Sequence, residues 1–293
     1  MTDHRPIGII GLGLMGAVFA RRLIDAGYNV LGFDIDATKT AAFADIGGRA
    51  AASIAEVGRG CDVIVLAVFN TEQVEDVVET ALLGSLGDQS GKIVLCTSTC
   101  DPDRIEALAA RVGKRGLRFL ETPVSGTSDQ VRRGDGVGLL GGNETIAAEI
   151  GPLLDVLFPK RFHVGAVGDG GRAKLAVNLI LGLNRLALAE GLVFASRLGL
   201  DPEAFFRVAR GSAAYSQVMD TKALKMIRGD FSPEGRARQT LKDAHLMLEQ
   251  AQRKGQQLPL LAVNAAVLES CVRHGEGDLD NSVVINEIRR RSV

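Results

Sequence analysis

Residues 168 to 199 read GDGGRAKLAVNLILGLNRLALAEGLVFASRLG, a glycine-rich entry into a long run of Ala, Leu, Val and Ile with few interruptions. A helix that is apolar nearly all round has to be covered, either in the middle of the molecule or in a subunit interface. Two polar residues break its first turns, Lys174 and Asn178. Their i, i+4 spacing puts them on one face, one turn apart. A lysine in such a setting has two readings. It snorkels to the surface on its aliphatic stem, or it is held in a cleft as a proton-transfer group.

The chain around this segment has 293 residues, a length that suggests two domains, each with a well-buried core. A formal net charge of -1 makes no electrostatic case for nucleic acid or an anionic membrane as a partner. Residues 1 to 10, MTDHRPIGII, lack the long apolar region of a signal peptide. The apolar segment at 168 to 199 alone raises a membrane question, and Lys174, Asn178, Asn184, Arg185 and Glu190 within it argue against a span. Cys61, Cys96, Cys100 and Cys271 form no CxxC pair and no zinc spacing. They read as small core residues of a reducing compartment, and the expected location is the cytoplasm. No metal site is expected.

At the N-terminus the apolar run PIGII (6 to 10) ends in Gly11-Leu12-Gly13-Leu14-Met15-Gly16, followed by an amphipathic helical stretch and a second apolar run, YNVLGF, that ends at Asp34. This is strand, glycine turn, helix, strand, with an acid at the tip of the second strand. Gly11 permits the tight turn, Gly13 lets backbone approach a pyrophosphate, and Gly16 lets helix and strand pack closely. The helix N-terminus offers free N–H groups and a positive dipole end to the phosphates. The carboxylate of Asp34 accepts from both ribose hydroxyls and repels a 2'-phosphate, and Asp36 adds a second negative charge. NAD is therefore expected in preference to NADP.

Strands are predicted at 62–68, 92–96, 116–122, 138–140 and 161–164. Helices are predicted at 71–80, after Asp101-Pro102, and from Asn143 to Asp155. Strands alternating with helices point to a doubly wound parallel sheet. Beyond 168 no strand pattern appears. Helical segments follow one another at 202–210, 216–228, 234–254, 259–273 and 282–291. The expected architecture is an α/β, Rossmann-type domain at 1–165, then an all-helical substrate and dimerisation domain at 166–293, joined through the long central helix.

With these pieces in place the chain resembles the β-hydroxyacid dehydrogenase family, the 3-hydroxyisobutyrate dehydrogenases, tartronate semialdehyde reductases and, more distantly, 6-phosphogluconate dehydrogenase. Four motifs carry the likeness: IGIIGLGLMGAVFARRL at 7–23, ETPVSGTSDQVRRG at 121–134, GDGGRAKLAVN at 168–178 and LKDAHLMLEQA at 241–251. The resemblance implies an NAD-dependent oxidoreductase that moves hydride between a nicotinamide and a 3-hydroxy acid or the matching semialdehyde. It implies Lys174 as the general base, with Asn178 holding the hydroxyl or the lysine in register. A free lysine has a pKa of ~10.4, so the site has to depress it toward ~7 to 8. Ser125, Gly126 and Thr127 are implied to bind the substrate carboxylate, although SGT also reads as a plain turn after a strand. Val68, Phe69, Gln73, Thr99 and Lys242 are the further implied cofactor contacts, with Asp243 beside the last.

The departures bear on the substrate. Glu121 stands where the family usually has Asp, Thr127 replaces the second glycine of SGG, and Gly235 occupies a position often held by phenylalanine. The loop SPEGRARQTLKD brings Arg236 and Arg238 toward the expected pocket, which suggests a larger or more anionic substrate than hydroxyisobutyrate. The competing readings are an imine reductase, which usually carries another residue in place of Lys174, and a non-catalytic dinucleotide-binding protein, which would be expected to lose it. The exposed apolar surface implied for the central helix suggests a homodimer or homotetramer.

Overall fold

The structure, a computed structural model, describes residues 6–86 and 91–291; the first five residues of the N-terminal reading lie outside it. Nine strands form one sheet: β1 (Ile7–Ile10), β2 (Val30–Phe33), β3 (Arg49–Ala50), β4 (Val63–Leu66), β5 (Ile93–Cys96), β6 (Arg118–Glu121), β7 (Val124–Ser125), β8 (Val137–Gly141) and β9 (Lys160–Gly165). The order is β3-β2-β1-β4-β5-β6-β8-β7, with β9 also on β8. From β3 to β6 every pairing is parallel.

Successive strand residues feed opposite cores, because side chains alternate across a strand. Ile9, Val65 and Leu95 enter a core with Phe19, Leu23, Leu154 and Phe158. Their neighbours Ile10, Ile64, Leu66 and Val94 enter a second core with Ile105, Leu108 and Val112. The Phe19 and Phe158 rings meet edge to face at 5.5 Å. A sheet apolar on both faces needs helices on both, which explains its uninterrupted strand runs.

The parallel sheet expected from the alternation is present from β3 to β6, with an antiparallel return at its far end. β8 runs antiparallel to β6 and β7. Between β6 and β8 lie only the two-residue β7 and a short helix, Ser128–Arg132. β7 carries the chain on from β6, and the short helix then turns it back so that β8 pairs antiparallel with β7, Val124 facing Gly138 and Ser125 facing Val137. Between Asp34 and Asp62, where no element was predicted, lie a helix Ala37–Asp45 capped by Asp36, the two-residue β3 and a helix Ile54–Gly60 capped by Ser53. Elements this short show little periodicity. The helix predicted at 71–80 continues to Leu86, widening to π geometry over Asp76–Leu82. The helix predicted from Asn143 is broken near Gly151-Pro152 into Glu144–Glu149 and Gly151–Leu157.

The chain divides into two compact units, 1–174 and 175–293. The division falls within the first turns of the long helix Asp169–Arg197, whose start is tied to β6, as described below. In the second unit Leu175, Leu186, Ala189 and Leu192 pack into one core with Met219, Met226, Leu261 and Leu268. The other helices of that unit are Pro202–Arg210, Gln217–Arg228, Ala237–Arg253, Pro259–Arg273 and Val284–Arg290. Within the chain the long helix is not covered on all sides: Ile180 is 61% and Phe194 65% exposed. It is long and apolar enough to cross a membrane, yet one face forms a wall of the helical core.

Candidate active site

The glycine turn after β1 has the form that a pyrophosphate demands. Gly11 sits at φ +94°, and a Cβ there would lie 2.5 Å from the Ala67 carbonyl oxygen. A Cβ on Gly16 would lie 1.9 Å from the Gly11 carbonyl, so this helix touches its own entry loop. Gly13, by contrast, faces open space. It is the N-cap of the helix Leu14–Asp25, whose first turn has neither a side-chain cap nor an acid. Leu14 and Met15 open that turn. The main-chain donors of an uncapped helix start, beside an open glycine, fit the phosphates of a dinucleotide.

Asp34 follows β2 and braces this loop: Leu12 N–H donates to its Oδ2 at 2.7 Å and Asp36 N–H to its Oδ1 at 2.9 Å. Lys39 Nζ lies 3.4 Å from the same carboxylate. Val68 and Phe69 follow β4. The Phe69 N–H donates to the Gln73 side chain at 2.8 Å, and the Val68 carbonyl accepts from Ser98 Oγ at 2.8 Å. Thr99, next to Ser98, follows β5 and is half-buried. The first unit thus gathers Gly11–Gly16, Asp34, Val68, Phe69, Gln73 and Thr99 outside the carboxyl ends of β1, β2, β4 and β5. In open parallel sheets this is the edge where ligands bind.

Ser125 ends β7, and Gly126 follows at φ +143°. Thr127 then caps the helix Ser128–Arg132 through a reciprocal pair: its Oγ1 accepts from Gln130 N–H at 3.2 Å, and its own N–H donates to Gln130 Oε1 at 2.8 Å. The Thr127 N–H is therefore taken within the loop, which leaves its hydroxyl proton, the Ser125 hydroxyl and the Gly126 backbone as the donors for an anion.

Glu121, noted in the sequence only as a departure, is the tie between β6 and the long helix. Its Oε1 accepts from the N–H groups of Gly168 and, at 2.9 Å, Gly170. It is 3% exposed. Burial pushes its pKa up to about 6, against the pull of the glycine N–H groups and the nearby Arg172. A carboxylate at a helix start satisfies donors that the helix cannot satisfy itself. Lys174 follows in the second turn and is 7% exposed, so the snorkelling alternative is excluded.

In the second unit Asn178 Nδ2 donates to Asp243 Oδ2 at 3.1 Å, and Lys242 Nζ lies 3.0 Å from Asp243 Oδ1. Arg236 and Arg238 are half exposed and face Asp278, Arg238 at 2.6 Å and Arg236 at 3.9 Å. Exposed ion pairs of this kind contribute little to stability. The buried charges lie elsewhere. Lys222 Nζ reaches Asp280 at 2.9 Å and Glu234 at 3.3 Å. Asp280, fully buried, also accepts from the N–H groups of Glu234, Gly235 and Ser282. Burial works against its charge, but Lys222 and the Ser282 contact hold its carboxyl below the usual range. Arg185 is buried as well, and burial pushes its pKa down to about 10. Sequence reading registered Arg185 only as an obstacle to a membrane span; its i+11 spacing from Lys174 was the available sign.

The comparisons agree with this geometry. Residues 6–165 match the NAD binding domain of 6-phosphogluconate dehydrogenase, and residues 168–288 match a domain described as NAD-binding of NADP-dependent 3-hydroxyisobutyrate dehydrogenase. The chain is 33% identical to L-threonate dehydrogenase of Cupriavidus necator, over 96% of this chain and 95% of that one. It is 31% identical to 2-(hydroxymethyl)glutarate dehydrogenase of Eubacterium barkeri, over 97% and 95%. The crystal structure of a 3-hydroxyisobutyrate dehydrogenase from Salmonella typhimurium superposes with a TM-score of 0.87 at 27% identity, over 96% of this chain and 99% of that one. The fold and site define an NAD(P)-binding oxidoreductase. The chain belongs to the β-hydroxyacid dehydrogenase family and acts on the hydroxyl group of a hydroxy acid, or on the corresponding semialdehyde.

Proposed function

We propose that Lys174 is the acid–base residue of an NAD-dependent 3-hydroxy acid dehydrogenase, with Asn178 as its partner in orientation. The nicotinamide, when bound, supplies the hydride acceptor. Lys174 takes the proton from the hydroxyl oxygen as the carbon loses hydride, and in reverse returns it to the forming alkoxide. Asn178, one turn on, presents its amide to the same face, and Asp243 fixes the direction of that amide. Ser125, Gly126 and the Thr127 hydroxyl hold the carboxylate of the substrate. Gly11 to Gly16 hold the pyrophosphate, Asp34 the adenosine ribose, and Val68, Phe69, Gln73, Thr99 and Lys242 complete the cofactor site.

The observation that carries this reading is a lysine buried in the second turn of a helix whose start is anchored to the sheet by a buried carboxylate. Removal of a general base lowers turnover by roughly 10²- to 10⁴-fold. Lys174→Ala is therefore expected to lose kcat on that scale while fluorescence titration with NADH is unchanged. Turnover that survives the substitution overturns the assignment.

Preference for NAD rests on Asp34. A carboxylate at the tip of β2, held by the Leu12 N–H, supports that preference because it would repel a 2'-phosphate. The apolar stripe of the long helix, including Ile180 and Phe194, is read as the seat of a second copy of the chain in a homodimer or homotetramer. Four buried free cysteines suit a reducing compartment such as the cytoplasm.

A further inference from the structure

Arg185 is the buried charge of the helical unit that neither the fold nor the proposed mechanism uses. Its Nε and Nη1 are buried and make no hydrogen bond among the described residues. Among the described residues, the charge that acts on it is Asp280. That carboxylate is already engaged by Lys222 and by three backbone N–H groups. Glu234, the next acid, is shared by Lys222 and Lys225. A guanidinium in such a place is surplus positive charge with directed donors and no acceptor. Isolated buried charges of this kind are strongly unfavourable for stability unless something binds them.

Its position on the long helix indicates what would bind. At 100° per residue, Lys174, Asn178 and Arg185 fall within about 40° of arc, on one face. Arg185 is two turns beyond Asn178, about 10 Å along the axis. Helical side chains lean toward the N-terminus, which from Arg185 is the direction of Asn178. The face therefore carries, in order, a proton-transfer amine, a hydroxyl-orienting amide and, beyond them, a planar fork suited to an oxyanion.

We propose that Arg185 is an anion anchor that selects a 3-hydroxy acid carrying a second carboxylate, or a comparable oxyanion, on the arm pointing away from the reacting hydroxyl. This rests on the hydroxy acid reading given above and narrows its substrate class. Such an anchor replaces Arg236 and Arg238 as the source of any preference for an anionic substrate, since those two are paired at the surface.

Three substrates that share one reacting end test it: 2-(hydroxymethyl)glutarate, its uncharged-arm analogue 2-(hydroxymethyl)pentanoate, and 3-hydroxyisobutyrate. The wild type is expected to prefer the dicarboxylate. Arg185→Met is expected to lower kcat/KM for the dicarboxylate by roughly 10- to 100-fold, the effect of one charge-assisted contact. The two monocarboxylates should move by less than about three-fold. Calorimetric titration of the cofactor-free protein with glutarate should show the same Arg185-dependent loss of affinity. Because Met removes an unpaired buried charge, Tm should hold or rise. A fall in Tm with an equal loss on all three substrates marks Arg185 as structural and overturns the proposal, as does a wild type indifferent to the second carboxylate in both turnover and calorimetry. Arg185-dependent glutarate binding without turnover of any of the three counts against the hydroxy acid reading and leaves the anion site standing.

Discussion

The two units of the chain handle buried charge in different ways. The sheet unit hides apolar strands between two apolar cores and answers its buried charges mostly with main-chain groups: Lys92 donates to the Cys61 carbonyl, Asp101 caps a helix and Glu121 accepts from glycine N–H groups. Thr97 and Ser98 likewise donate to the carbonyls of Leu66 and Val68. The helical unit buries Lys222, Asp280, Arg185 and Asp243, while leaving Ile180, Phe194, Val208, Leu260 and Val263 at the surface. Charge inside and apolar groups outside is unfavourable for an isolated domain. The inversion makes sense where the inside handles a charged ligand and the outside meets a second copy.

The largest test of this contrast is the buried ion pair. Lys222→Met leaves Asp280 buried without its cation, and urea denaturation is expected to show a loss of about 3 to 5 kcal/mol. A loss below ~1 kcal/mol would mean that the inner charges of the helical unit are as solvated as a surface pair.

Glu121 offers a second, smaller test, at the point where the sheet unit grips the long helix. Its folded pKa of about 6 lies above the ordinary 4.5. Its contribution to stability is therefore complete below pH ~4.5 and lost as the pH rises through about 6. Burial is thorough, so the full linkage applies, about 2 kcal/mol across that window. Glu121→Gln keeps an acceptor for the glycine N–H groups but cannot titrate. The wild-type minus variant stability should fall by about 1.5 kcal/mol between pH 4.5 and 6.5 and by the full amount from pH ~3.5 to ~7. A flat difference would show that the carboxylate is not held as described.

The smallest effect on the monomer concerns the exposed stripe. Ile180→Lys combined with Phe194→Lys is expected to change monomer stability by less than about 0.5 kcal/mol per site, as for other surface positions. Sedimentation velocity should nevertheless show the assembly dissociating. An unchanged sedimentation coefficient would move the contact to another face.

How much of this was legible in the chain follows from the range of each interaction. The turn at Gly11–Gly16, the acid at Asp34, the proline-led helices at 102 and 202 and the Lys174–Asn178 pair are local, since each depends on residues within a turn or a strand length. The alternation of strands and helices likewise announced the sheet and the helical half. The antiparallel return of β8 was hidden because it depends on pairing with the two-residue β7, which leaves no pattern of its own. Edge elements such as β3 have too few residues to show a period.

Sequence alone, then, determined the class of fold, the dinucleotide turn and the identity of the buried amine, because short-range geometry and the family motifs are written in neighbouring residues. Only the tertiary structure decided which charges are matched. Glu121 meets the helix start from 47 residues away, measured to Gly168. Lys222 reaches Asp280 across 58, and that pairing is what leaves Arg185 without an acceptor. Electrostatic satisfaction is a property of distance in space, and a linear chain does not carry that distance until it folds.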